Sequence, residues 1–109
     1  MKNAGSEVIF MTPNMCTDRI DYSIKEEIIK VAESVANNVN EGWLEKYINE
    51  ALKVCEEEGV PVCDCYKIWK TLHDNGADIT SVLSNKINHP TKELHWMFAY
   101  ELVKTMFEK

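Results

Sequence analysis

Two short apolar runs with no alternation constrain this chain most. The first is "EVIFMTP", Glu7 to Pro13, and the second is "VPVCD", residues 60 to 64, with a long helical stretch between them. Uninterrupted Val, Ile and Phe fit a strand covered on both faces, as in a parallel sheet, and proline ends such a strand because it lacks an N–H. Strand, helices, strand in that order predicts a right-handed crossover, and hence an α/β fold with few parallel strands and flanking helices. Two such strands make a poor sheet on their own, since each leaves an unpaired apolar edge. The pattern therefore implies that the chain pairs with another, as a homo-oligomer or with a partner chain, or forms part of something longer.

The connecting helices are legible from spacing. Ile24, Ile28, Val31, Val35 and Val39 step by helical intervals, and Ser23 with Glu26 forms the S-x-x-E pattern of a capping box. A second helix is predicted from Trp43 to Glu58, with Leu44, Tyr47, Ile48, Ala51, Leu52 and Cys55 on one face and Gly59 just past its end. Asp64 reads as a cap for a short helix that ends near Gly76, where His73 would meet the terminal carbonyls. After a turn and the loop "INHP", a final helix is predicted to open with Thr91 as its cap. His95, Phe98, Ala99, Leu102, Val103 and Met106 are expected along its apolar side.

Composition narrows the function classes. The 109 residues suit a single domain, and a net charge of -6 without a basic run argues against nucleic acid and anionic membranes as partners. Val8 to Met11, the longest apolar run near the N-terminus, is too short for an export signal or a membrane span, so a cytoplasmic location is expected. Cys16, Cys55, Cys63 and Cys65 are then expected as reduced thiols. The C-x-C pair would place two sulfurs on one strand face, but without a second paired motif it predicts no metal. Trp43, Trp69 and Trp96 fall in helical patterns as core or interface anchors, and the acidic run from Glu56 to Glu58 as a solvated face.

Three segments together resemble a known family. "SEVIFMTPNM", "GVPVCDCYKIWKTLHDNGADITSVLSNKINHPTKELHWMFAYELV" and, within the latter, "NHPTKELHWMFA" are similar to the C-terminal half of the SGNH/GDSL family of serine ester hydrolases. The similarity runs from about Ala4 to Phe107, with His89-Pro90 at the family's catalytic His-Pro and His95 at a second histidine often found before the last helix. It implies a single partial domain over residues 1–109, the C-terminal half of a flavodoxin-like three-layer sandwich, and no cofactor. The substrate class it implies is a small carboxylic or O-acetyl ester.

The resemblance also assigns roles. His89 would be the general base, taking a proton from a serine hydroxyl and returning it to the leaving alcohol, chemistry for which imidazole is suited. Many members place an aspartate three residues before that histidine, where this chain has Lys86. Asn85 and Asn88 are the supporting candidates to hold the imidazole, Asp78 is an acid of undefined geometry, and the triad acid stays unassigned. The family's nucleophile lies in a G-D-S block and its oxyanion donors in a G-x-N-D block, and neither is present in this sequence. Gly5-Ser6 precedes a strand instead of following one, and Ser23, Ser34, Ser81 and Ser84 lack a supporting motif. The chain alone is therefore expected to be inactive, with activity requiring a partner that supplies the N-terminal half. The alternative is a non-catalytic module that binds a partner or dimerises through its sheet edge.

Overall fold

The two apolar runs pair in parallel across the helical connection. In the structure, a computed structural model that describes residues 7–107, β1 (Phe10–Met11) lies parallel to β2 (Val62–Cys63), with Phe10 opposite Val62 and Met11 opposite Cys63. Bonds from Phe10 N–H to the Pro61 carbonyl and from Thr12 N–H to the Cys63 carbonyl, both 3.0 Å, flank the pair. Both strands are shorter than the apolar runs that contain them. Pro13 and Pro61 remove donors close to each strand, which limits how far a ladder can extend. The result is a small α/β domain with a two-stranded parallel sheet flanked by helices.

Helices α1 (Ile29–Asn40) and α2 (Trp43–Glu58) make the crossover. At the junction Gly42 takes a φ of 82°, and Gly59 takes 67° after α2, backbone positions that cost a Cβ-bearing residue free energy. The Gly59 N–H closes onto carbonyls of Cys55 and Glu56, and the Val60 N–H returns to Cys55 at 2.8 Å. This glycine closure aims the chain straight into β2.

Helix α1 departs from the expected start. Ser23 does not cap it: its Oγ donates to Asp21 Oδ1 at 2.6 Å and its N–H to the same oxygen at 2.9 Å. The local aspartate turn competes successfully for the serine. A 3₁₀ turn, Glu26–Ile28, intervenes, and α1 begins at Ile29 without a side-chain cap. Its buried residues are Ala32 and Ala36, whereas Val31 is 52% exposed. Small side chains permit close approach, and Ala32 and Ala36 share the inner side with half-buried Val35 and core-packed Val39, leaving Val31 off it.

The core gathers Met15, Ile48, Tyr66, Trp69, Ile79 and Leu83, with Leu44, Leu52, Leu94, Met97 and Phe98 packed at its margin. Helix α3 (Cys65–Asp74) contributes Tyr66 and fully enclosed Trp69. Tyr47, expected on the inner face of α2, is 78% exposed. Helix α4 (His95–Phe107) follows a 3₁₀ turn at Lys92–Leu94, for which Thr91 supplies no side-chain cap. Of its predicted apolar face, Phe98 and Leu102 are half-buried, while His95, Ala99, Val103 and Met106 are exposed. No described helix is long and apolar enough to cross a membrane.

Candidate active site

The carboxyl ends of the two strands are locked together by one hydroxyl. Thr12 Oγ1, fully buried, donates to Asp64 Oδ1 at 2.9 Å and accepts the Tyr66 N–H at 2.8 Å. Asp64 Oδ1 also accepts the Lys67 N–H at 3.2 Å, capping α3 as its sequence position suggests. One carboxylate thereby ties the exit of β1 to the first turn of the helix that follows β2. Open α/β sheets bind ligands at this edge.

From Thr12 the chain turns through Pro13 and Asn14 and meets the His89 loop. Asn14 Nδ2 donates to the Asn88 carbonyl at 3.0 Å, and the Thr17 N–H donates to the Ile87 carbonyl at 2.8 Å. The loop is closed at its base by an antiparallel bridge between Leu83 and Pro90, with the Ser84 N–H on the His89 carbonyl at 2.6 Å. Within it, Asn85 Oδ1 accepts the backbone N–H groups of Ile87, Asn88 and His89 at 3.0, 3.0 and 3.1 Å. Its Nδ2 donates to Asn88 Oδ1 at 2.8 Å. Lys86 completes the turn at a φ of 60°, a left-handed conformation uncommon outside glycine and asparagine.

His89 is thus held by its backbone and exposed at its side chain, and its ring makes no hydrogen bond to a described residue. Asn85 and Asn88 are brought beside it, but they organise the loop and neither bonds to the imidazole. His95 lies exposed at the start of α4, its ring 6.3 Å from that of Phe98 and tilted by 49°. Asp78 is committed elsewhere: Arg19 Nε and Nη2 reach its two carboxylate oxygens at 3.0 and 2.6 Å, which holds that carboxyl below its ordinary pKa.

No described serine faces His89 as a nucleophile would. Ser23 is bound to Asp21, Ser81 Oγ donates to the Asp78 carbonyl at 2.7 Å, and Ser84 Oγ donates to the His89 carbonyl at 3.2 Å. Ser34 lies exposed on α1. Gly5-Ser6, and Ala4 where the family similarity begins, lie outside the described residues. A shallow groove of about 180 Å³ runs beside α2 and α3, bordered by Ile48, Leu52, Asp64, Tyr66, Lys67 and Lys70, and His89 is not in its lining.

Sequence reasoning misplaced His73. Instead of meeting helix-terminal carbonyls, its Nε2 lies 2.8 Å from Asp18 Oδ2 and its Nδ1 3.2 Å from Asp74 Oδ1. Hydrogen bonding to Asp74, then to Asp18, raises its pKa. Both ring nitrogens are occupied, so this histidine clamps the segment after β1 to α3 and cannot relay protons freely. Its partners are remote in sequence, and no local spacing marks them.

The C-x-C sulfurs do meet, although Cys63 ends β2 and Cys65 opens α3. They sit 3.8 Å apart as free thiols, fully buried. Burial, followed by the neighbouring Cys63, pushes the Cys65 thiol up to about 12, which disfavours the thiolate that a metal would need. The described residues contain no group of three or more potential metal ligands. Trp69 is a core residue, but Trp43 and Trp96 are exposed by 58% and 78%. Comparison with protein-family models, curated proteins and solved structures gave no match for this chain.

Proposed function

We propose that this chain is the base-carrying, C-terminal part of an SGNH/GDSL-type ester hydrolase, within a three-layer flavodoxin-like sandwich completed by strands from another polypeptide segment. The observation that carries the reading is the pair of bonds, Asn14 to Asn88 and Thr17 to Ile87, that seat the His89 loop against the segment leaving the carboxyl end of β1. An exposed imidazole on a fixed backbone suits a general base. His89 would accept the proton of a serine hydroxyl supplied by the completing segment and pass it to the leaving alcohol of a carboxylic or O-acetyl ester. Asn85 and Asn88 act as positioning residues, through the backbone.

The sheet supports the need for completion. Phe10 and Thr12 use their N–H groups toward β2, so strand geometry turns the polar groups of Ile9 and Met11 to the opposite edge. A further strand placed there would satisfy them. The same open edge favours the second reading, a non-catalytic module that recruits a strand of its partner.

Covalent labelling separates the two when it is combined with complementation. The isolated chain should neither react with a fluorophosphonate nor hydrolyse an activated acetyl ester in a His89-dependent way. Stoichiometric labelling of the isolated chain would show that it carries its own nucleophile. A complex that labels and turns over identically with His89→Ala would favour the binding module.

A further inference from the structure

We infer that a second copy of this chain docks on the outer face of α4, forming an antiparallel two-helix seam about a two-fold axis. The inference is independent of the hydrolase reading, because it uses neither His89 nor the sheet edge. Its starting point is that α4 is apolar on two opposite sides. Leu94, just before it, with Met97 and Phe98, packs onto the core, while Trp96, Tyr100, Val103 and Phe107 stand 78%, 66%, 55% and 75% exposed. A helix that is hydrophobic all round is one built to be covered all round.

Three observations favour a copy of the same helix as the occupant. The exposed residues step by four, three and four, the spacing of a coiled-coil seam, so the face matches another helix with that spacing, as α4 itself has. Antiparallel pairing about the midpoint between Tyr100 and Val103 sets Trp96 against Phe107 and Tyr100 against Val103, large against smaller side chains. It also sets Lys104 against Ala99, so that cation meets no like charge, and none of the four exposed seam residues is a carboxylate. For a chain of net charge -6, such a face is where two copies approach at least electrostatic cost.

Area agrees with the geometry. The three aromatic side chains alone leave about 400 Å² of ring surface open, at roughly 200 Å² per residue, the size of the largest patch on a typical monomer and one that is often functional. The seam itself buries less than a standard interface does, which places the dimer in the weak, reversible class.

Sedimentation equilibrium of the chain as it stands tests this. A monomer–dimer equilibrium with a dissociation constant of roughly 10 to 100 µM is expected for an interface of this size. Trp96→Glu and Tyr100→Glu should each weaken it by about tenfold or more, with the circular dichroism melt of the monomer retained. Tyr47→Glu, at an equally exposed aromatic on α2, should leave it unchanged. A monomer at every concentration up to about 1 mM overturns the inference. So does a dimer that tolerates both α4 substitutions or that Tyr47→Glu disrupts, since the occupant would then be a different chain or the contact a different face. Fluorophosphonate labelling reads the hydrolase proposal separately and moves with neither result.

Discussion

Replacing Asn85 with alanine removes the hub of the His89 loop, and its cost follows from the bonds that the side chain makes. Oδ1 accepts three backbone N–H groups and Nδ2 donates to Asn88. A neutral hydrogen bond contributes about 0.5–1.5 kcal/mol net, and the lower end applies where water can replace the lost partner. Asn88 and His89 are exposed and Asn85 and Ile87 are not, so the four bonds together should cost about 2 kcal/mol. For a domain of this size that lowers Tm by about 8 °C. Urea denaturation gives the free energy, and amide exchange at residues 87–89 reports the loop directly, because those amides should lose protection well before the core does. Asn85→Asp keeps the acceptor and gives up only the bond to Asn88, so it should recover most of the loss. If Asn85→Ala lies within about 0.5 kcal/mol of the parent and leaves exchange at 87–89 unchanged, the side chain does not organise this loop.

Three further outcomes are expected elsewhere. Thr12→Val removes a buried hydroxyl that both donates to Asp64 and accepts the Tyr66 N–H, and should cost about 2–3 kcal/mol by denaturant titration, with Thr12→Ser costing under about 1. The His73 clamp has a raised pKa in the folded protein, from Asp74 and then Asp18; its stabilisation is therefore complete below the ordinary histidine value of about 6.5 and is lost as pH rises through the folded value. Thermal melts should show that decline setting in as pH rises above about 6.5, and His73→Gln should flatten it. Native protein treated with an aromatic disulfide reagent should leave Cys55, Cys63 and Cys65 unmodified, since they are buried, and all four thiols should react once it is denatured; rapid native reaction at Cys63 or Cys65 would contradict their enclosure.

What the sequence disclosed depended on how local the physics was. The closure at Gly59, the Asp64 cap and the strand runs around Phe10 and Val62 are visible because each rests on neighbours in the chain. The α1 face was legible in Ile28, Val35 and the core-packed Val39 but wrong at exposed Val31, and it missed Ala32 and Ala36, its most buried residues, because periodicity weighted by large side chains overlooks alanine. The Ser23 cap failed because Asp21, two residues earlier, is the better-placed acceptor for both its N–H and its hydroxyl. Around the site, Asn85 stood out as a candidate to hold the imidazole, whereas its side chain accepts backbone N–H groups of the loop. The Asn14–Asn88 tie that positions the loop and the Asp18–His73 clamp onto α3 span 74 and 55 residues, and no spacing rule reaches that far.

Fusing an N-terminal segment that bears G-D-S and G-x-N-D blocks, taken from an SGNH-type hydrolase, ahead of Glu7 tests the central claim most directly, with turnover of an activated acetyl ester as the readout. A folded chimera that hydrolyses the ester and loses about 10³-fold or more with His89→Ala, but little with His95→Ala, is the predicted result. Turnover that survives His89→Ala unchanged would contradict the account, because the His89 imidazole would then take no part in moving the proton.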